Sequence, residues 1–239
     1  MVKHIAKKIV GWLVSSRLFA VPRRMIGKTI SSGDGVVIFY NDPERSKVLD
    51  VVKKIKKENE LLLGDNEGYQ LFMAVKSTGK IEGEIAEVGS YRGGSSKIIC
   101  EAKGTRPLHL FDTFEGLPAL SPMDAADQFR KGQFSASVDD VKNYLKNYPS
   151  VHFYKGLFPA TADPIKNKKF SFVHLDVDLY EATLSSIRFF YPRMNKGGVM
   201  LSHDYISAPG VRKAFDEFFE DKPEPIIEMS GSQCLIVKV

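Results

Sequence analysis

Short apolar runs alternate with stretches in which apolar residues recur at helical spacing over most of the chain. The runs predict strands at 84–88, 107–111, 150–154, 170–176 and 197–202, and the periodic stretches predict helices at 94–103, 138–147, 160–166, 179–192 and 209–221. Two further helices are predicted upstream, at 45–59 and 66–78. Strands that alternate with helices are typical of a doubly wound parallel sheet.

The last part of the chain breaks this alternation. Two apolar segments, PIIEM and CLIVKV, are separated only by the turn SGSQ, and strands joined by so short a turn must be antiparallel. We therefore expect an α/β fold of three layers, with a doubly wound Rossmann-like sheet that is mostly parallel and ends in an antiparallel hairpin, plus N-terminal helices. The predicted organisation is an N-terminal segment over 1–33, a helical cover or extension over 34–80, and the sheet domain over 81–239.

Residues 2–19 predict an amphipathic helix. Apolar residues fall on one face and basic residues on the other: Val2, Ile5, Ile9, Trp12, Leu13 and Phe19 against Lys3, His4, Lys7 and Lys8. Such a helix either packs on the domain or a second subunit, which suits a homo-oligomer, or contacts an anionic membrane surface through residues 1–30. A signal peptide is not expected, because Arg17 interrupts the apolar stretch.

The net charge of +5 belongs to one segment. The basic residues that precede the first acid, Asp34, are the seven residues Lys3, Lys7, Lys8, Arg17, Arg23, Arg24 and Lys28. Residues 34–239 therefore have a net charge of −2. The main body therefore has no charge pattern for nucleic acid, which is not expected as a partner. Cys100 and Cys234 lie in apolar surroundings and predict buried thiols in a reducing, cytoplasmic compartment, with peripheral contact at the inner face of the membrane as an open possibility.

A glycine-rich segment, EIAEVGSYRGGSS, follows the first strand of the sheet domain and opens a helix. Gly89 and Gly93 let the backbone turn tightly beside a ligand, although their spacing differs from the G-x-G-x-x-G of dinucleotide folds. Glu87 ends an apolar strand and needs a partner, either at a ligand or in a salt bridge to Arg92. The next strand delivers Asp112, which either accepts hydrogen bonds from an adenosine ribose or serves as a turn residue in FDTFEGLP. Together these residues predict an adenosine-cofactor site without choosing NAD or S-adenosylmethionine.

Two carboxylates follow the strand in FVHLDVDLYEATL. Asp178 is predicted as a helix N-cap with Glu181 at N3, a capping-box arrangement. Asp176 has no such structural role and lies where open α/β sheets bind ligands. The following strand ends in His203 and Asp204, so these acids either share a divalent metal that holds a substrate hydroxyl or form a structural hydrogen-bond cluster.

These residues resemble the macrocin O-methyltransferase family of S-adenosylmethionine-dependent enzymes, which methylate sugar hydroxyls in macrolide and related natural products. The resemblance covers about residues 60–239 and rests on EVGSYRGGSS, FDTFEGLP, LDVDLYEAT and GGVMLSHDY. It implies the class I methyltransferase sheet, with residues 81–239 as the S-adenosylmethionine-binding domain. The implied cofactor-binding residues are Glu87, Gly89, Ser90, Tyr91, Gly93 and Ser95 in the glycine loop, Asp112 at the ribose, Ser137 near the adenine or as a helix cap, and Asp176.

The resemblance also implies that Asp176 binds Mg²⁺ and acts as general base. The chain departs from the family's pattern where paired aspartates give way to His203 followed by Asp204. Imidazole suits other divalent metals better than Mg²⁺, so Mg²⁺ is held by fewer protein ligands, another metal binds at Asp176, His203 and Asp204, or His203 removes the proton without metal.

The predicted function is methyl transfer to a hydroxyl of a small-molecule sugar or of a surface or lipid-linked glycan, with GLPALSPMDAADQF as a lid over the acceptor. Two alternatives remain: an NAD-dependent oxidoreductase, and a membrane-surface assembly module that keeps a vestigial cofactor fold.

Overall fold

The computed structural model describes residues 28–32, 35–39 and 42–239. These residues fall into two compact units, divided between Lys47 and Val48, and each is described by itself. In the first unit, strands β1 (Lys28–Ser32) and β2 (Gly35–Phe39) pair antiparallel, with Lys28 opposite Phe39. Strand β2 lies within 34–80, the range predicted as a helical cover or extension. The amphipathic helix predicted over 2–19 lies outside the described residues, and so does most of the proposed membrane-contacting segment 1–30.

The second unit alternates helices and strands in the predicted order. Its helices, the first of which begins in the first unit, are α1 (Pro43–Glu58), α2 (Asp65–Ser77), α3 (Gly94–Ala102), α4 (Val138–Leu145), α5 (Tyr180–Phe190) and α6 (Pro209–Phe219). Its strands are β3 (Glu84–Val88), β4 (Leu108–Asp112), β5 (Val151–Lys155), β6 (Phe170–Leu175), β7 (Met194–Ser202), β8 (Ile227–Glu228) and β9 (Cys234–Val237). Apart from one helix, the ends lie within three residues of those predicted.

The seven strands form one sheet in the order β5-β4-β3-β6-β7-β9-β8. The first five are parallel, whereas β9 runs antiparallel to both β7 and β8. This confirms the mostly parallel sheet with a C-terminal antiparallel hairpin. The carboxyl ends of β3, β4, β6 and β7 therefore lie side by side at one edge.

Two apolar cores cover the two faces of this sheet because successive strand side chains point to opposite sides. Ala86, Val173 and Met200 belong to the core that includes residues of α5 and α6. Ile85, Phe172 and Leu201 belong to the core that includes residues of α1, α2, α3 and α4. Each large apolar side chain buried in this way stabilises the fold by roughly 1.5–3 kcal/mol. Helices pack on both faces of the sheet, which confirms the three predicted layers.

The helix predicted over 160–166 is wrong. Only a short 3₁₀ turn forms there, over Asp163–Ile165. Pro164 lacks a backbone N–H, and its ring obstructs the preceding turn of an α-helix, so the apolar spacing does not produce one. Cys100 and Cys234 are free and buried, as predicted. Among the described residues, no helix combines the length and the apolar composition needed to cross a bilayer.

Candidate active site

A cavity of about 280 Å³ opens at the carboxyl edge of the sheet. Eight of the predicted site residues line it: Gly89, Ser90, Tyr91, Ser95, Asp112, Asp176, His203 and Asp204. Further walls come from segments that sequence analysis did not assign to the site, among them Leu61–Leu63 and Phe134. The glycine loop and the acidic strand ends thus share one space.

Gly89 joins the glycine loop to Asp176. Its φ of 86° is in the left-handed region, and a Cβ at this position would lie 1.8 Å from the carbonyl oxygen of Asp176. The backbone N–H of Asp176 also donates to the carbonyl of Val88 at 2.9 Å. Only a residue without a side chain lets the loop and the strand end approach so closely.

Asp112 fixes the same loop from the neighbouring strand. Its carboxylate accepts the backbone N–H groups of Ser90 at 2.8 Å, Tyr91 at 2.7 Å and Phe114 at 2.7 Å. Burial raises the pKa of Asp112, and these three hydrogen bonds oppose that shift. A carboxylate has about four acceptor positions, so Asp112 retains capacity for a ribose hydroxyl while it holds the loop.

Glu87 does not line the cavity. Its fully buried carboxylate accepts the hydroxyl of Ser96 and contacts His174 Nδ1 at 2.9 Å. The salt bridge to Arg92 is also wrong, since Arg92 pairs with Glu60 at 2.7 Å. Side chains alternate along β3, and position 87 points to the sheet face covered by α3 rather than to the open edge.

Gly93 and Ser137 are also absent from the cavity wall. Gly93 begins α3 with a φ of 82°, and a Cβ there would lie 3.0 Å from Val141 Cγ1. Ser137 is the N-cap of α4 and accepts the N–H of Asp140 at 3.2 Å. The helix-cap interpretation of Ser137 is confirmed, and its predicted place near the adenine is not.

Asp178 belongs to the cavity, and its predicted role as an N-cap is wrong. Leu179 occupies the N-cap of α5 without a side-chain bond, and Asp178 has a φ of 61° and lines the cavity. The N–H of Tyr180 instead donates to Asp124 Oδ1 at 2.7 Å. Burial, together with the negative charges of Asp176 and Asp204, raises the pKa of Asp178 well above its usual range. Burial and its acidic neighbours therefore favour the neutral form of Asp178.

His203 lies among three carboxylates. Its Nδ1 is 2.8 Å from Asp204 Oδ2 and 3.3 Å from Asp176 Oδ1, and its Nε2 is 3.6 Å from Glu67 Oε1. Burial alone lowers the pKa of His203, but the charge of Asp176 and the contacts to all three acids raise it well above its usual range. The same contact with His203 lowers the pKa of Asp204 against the effect of burial. The three carboxylates therefore favour the protonated form of the His203 ring.

The acids and His203 also fit a divalent cation. One donor atom from each of Asp176, His203 and Asp204 lies within 4.8 Å of the others. Two carboxylate oxygens and one imidazole nitrogen make a mixed donor set, which suits transition metals better than Mg²⁺.

Glu67 and Asp124 are two acids of this neighbourhood to which sequence analysis gave no individual role. Glu67 is buried, and the contact with His203 together with backbone hydrogen bonds from Ser232 and Gly64 lowers its pKa to about 2 in spite of burial. The only sequence signal was local, because Glu67 stands at N3 of α2 in a capping arrangement with Gly64. That spacing predicts a helix start and says nothing of a contact with His203.

Comparison with known proteins identifies relatives of this chain. Demethyldecarbamoylnovobiocin O-methyltransferase of Streptomyces niveus is 26% identical over 153 residues, which cover 58% of this chain and 58% of that protein. The 8-demethyl-8-(2,3-dimethoxy-alpha-L-rhamnosyl)-tetracenomycin-C 4'-O-methyltransferase of Streptomyces olivaceus is 28% identical over 140 residues, covering 52% and 54%. The matched region thus spans little more than half the length of these two relatives.

The solved structure of the O-methyltransferase NovP superimposes with a TM-score of 0.68 at 21% identity, covering 82% of this chain and 99% of that chain. This likeness shows a shared fold. The family model of the macrocin-O-methyltransferases (TylF) matches residues 67–232, a stretch that contains the glycine loop, Asp112, Asp176 and the His203–Asp204 pair. Since the match covers well over half of the chain, the protein belongs to the macrocin-O-methyltransferase family.

Proposed function

We propose that this protein is an S-adenosylmethionine-dependent O-methyltransferase that methylates a sugar hydroxyl. The observation that carries the proposal is the single cavity in which the glycine loop and Asp112 face the acids Asp176 and Asp204. Family membership supports the cofactor, and relatives named as O-methyltransferases, one of them for a rhamnosyl compound, support the reaction and the acceptor.

Asp176 is the proposed general base. It lies at the end of β6, next to Gly89, so the residue that takes the proton and the loop that holds the cofactor are fixed to each other. The carboxylates around His203 raise its pKa, which favours the protonated ring and makes His203 the weaker candidate for the base. General-base assistance contributes about 10²–10⁴-fold, and alignment of the hydroxyl with the methyl group removes several kcal/mol more from the barrier.

A divalent cation would be held by Asp176, His203 and Asp204. When bound, it would supply Lewis-acid chemistry that lowers the pKa of an acceptor hydroxyl. Asp178 and Glu67 would surround these ligands without replacing them.

The charge of the cavity supports an uncharged acceptor. Glu60, Asp112, Asp176 and Asp204 line it beside the single imidazole of His203, whereas the described residues contribute no lysine or arginine to its wall. Such a wall repels phosphate groups and attracts the cationic cofactor. We therefore favour a sugar attached to an uncharged natural product or glycan over a nucleotide sugar.

The lid, residues 116–129, closes the acceptor side in this proposal. Leu117 and Phe129 of the lid line the cavity. Asp124 ties the lid to α5 through the N–H of Tyr180, and its Oδ2 accepts both the N–H and the hydroxyl of Ser121 at 2.7 Å.

Cofactor titration tests the enzyme class. S-adenosylhomocysteine should raise the melting temperature of the wild type, and NAD should not; the reverse would favour the oxidoreductase. Asp176→Asn should keep S-adenosylhomocysteine binding and lose methyl transfer by at least about 10²-fold, whereas Asp163→Asn, an exposed control, should keep both. Methyl transfer is measured by mass spectrometry of glycoside and glycan pools incubated with labelled cofactor, with and without chelator. Wild-type turnover by Asp176→Asn would end the proposal.

A further inference from the structure

Glu67 is held at its place by two distant pieces of backbone. It is 9% exposed, and its Oε2 accepts the N–H of Gly64 at 2.6 Å. Its Oε1 accepts the N–H of Ser232 at 2.7 Å. One bond comes from the start of α2 and the other from the turn between β8 and β9, so the carboxylate has little freedom to rotate.

The SGSQ turn, residues 230–233, is shaped to receive this carboxylate. Gly231 has a φ of 90°, and a Cβ there would lie 2.4 Å from Glu67 Oε1. A side chain at 231 would therefore displace Glu67. The turn also reaches Asp204, because the hydroxyls of Ser232 and Ser207 lie 2.6 Å apart and Ser207 donates to Asp204 Oδ1 at 2.6 Å. The turn of the terminal hairpin thus contacts Glu67, which lies beside His203, and Ser207, which donates to Asp204.

Glu67 and the two strand-end acids lie on opposite sides of the His203 ring. Glu67 Oε1 is 3.6 Å from Nε2, and the opposite nitrogen, Nδ1, faces Asp176 and Asp204. A ring flip would move Nε2 away from Glu67 and take an N–H from its negative charge. In histidines that ligate metals, a carboxylate hydrogen-bonded to the far nitrogen fixes ring orientation; Glu67 faces the far nitrogen of His203 at 3.6 Å, an electrostatic contact longer than a hydrogen bond.

We propose that Glu67 is a positioning residue: seated by the SGSQ turn, it fixes the His203 ring so that Nδ1 faces Asp176 and Asp204. This inference rests on the proposed methyltransferase function for its purpose, since the oriented ring and the two acids border the space for the acceptor hydroxyl. It assigns a role to α2 and to the terminal hairpin beyond closing the fold.

Nitrogen-15 NMR of the full chain labelled at its five histidines tests the ring directly, without an acceptor. The His203 signals are assigned by their loss in His203→Gln. We expect a solvent-protected Nε2–H signal of His203 in the wild type, lost in both Glu67→Ala and Gly231→Ala. Two matched controls should retain it: Gln70→Ala, which removes a different contact of α2 with the SGSQ turn, and Gly104→Ala, a glycine of φ +62° with open space around it.

Retention of the protected signal in a folded Glu67→Ala, or its absence from the wild type, overturns the proposal. If Glu67→Ala does not fold, Gly231→Ala tests the proposal instead, because it keeps the Glu67 carboxylate and changes only the turn that holds it in place. With an identified acceptor, both variants should lose about 10–100-fold in kcat with S-adenosylhomocysteine affinity within about threefold of wild type. Failure of the wild type to bind S-adenosylhomocysteine would refute the proposed function, whereas the His203 signal would still test the role of Glu67.

Discussion

Gly89 offers a direct test of the link between the cofactor loop and the proposed base. Gly89→Ala places a Cβ 1.8 Å from the carbonyl oxygen of Asp176 and 2.7 Å from its carbonyl carbon. Backbone atoms of a central strand end cannot rotate aside as a flexible side chain would. The variant must therefore push the loop, Asp176 or both out of place.

The size of the effect follows from two separate terms. An alanine in the left-handed region costs about 1–2 kcal/mol. Overpacking against fixed atoms costs about 1–3 kcal/mol more, which makes the total loss of unfolding free energy roughly 2–5 kcal/mol. For a chain of this size, each kcal/mol lowers the melting temperature by about 2–4 °C, so a decrease of roughly 4–20 °C is expected.

Gly104→Ala separates strain from collision. Gly104 also has a positive φ, +62°, but no atom lies within 4 Å of its added Cβ, so only the strain of about 1–2 kcal/mol applies. Thermal melts and calorimetry with S-adenosylhomocysteine should show at least about tenfold weaker binding in Gly89→Ala, a loss of about 1.4 kcal/mol, and unchanged binding in Gly104→Ala. Equal behaviour of the two variants would refute the coupling of loop and base.

Two further variants probe the lid and the acid cluster. Asp124→Ala removes the acceptor for the Tyr180 N–H; at about 1 kcal/mol for a lost cap, thermolysin should cut the lid about fivefold faster, and unchanged cleavage would show that Asp124 does not hold it. His203→Asp replaces the imidazole that lies among Glu67, Asp176 and Asp204 by a fourth carboxylate. Uncompensated buried charge costs about 3–5 kcal/mol, so the variant should melt lower in chelator and recover with Mg²⁺ more than the wild type does; no recovery would count against a cation position there.

Sequence patterns predicted the sheet, its hairpin and the side-by-side strand ends because these depend on local periodicity and on simple rules of connection. Asp112 and Asp176 were located for the same reason, since the end of a strand is a local property. The placement of Glu87 away from the cavity wall has a local cause as well. Its position one residue before the strand end placed it on the covered face, where it pairs with His174.

Asp178 shows why the rest could not be predicted. Asp178 and Glu181 have the spacing of a capping box in the sequence. In the structure, however, Asp124 accepts the N–H of Tyr180, and Asp178 turns into the cavity. The competing acceptor comes from a loop far away in the chain, and no pattern near Asp178 signals it.

The acidic cluster is built on the same principle of distant support. Glu67 precedes the glycine loop, and the turn that seats it follows every other site residue, yet both meet at His203. A single histidine among three carboxylates balances charges that would otherwise repel. The acids raise the pKa of His203, so the protonated ring at the strand edge offsets part of their charge, and a metal that binds through Nδ1 would compete with a proton there. Methyl transfer by this protein should therefore depend on metal less steeply than in a His203→Asp variant, in which only a bound cation can balance the acids.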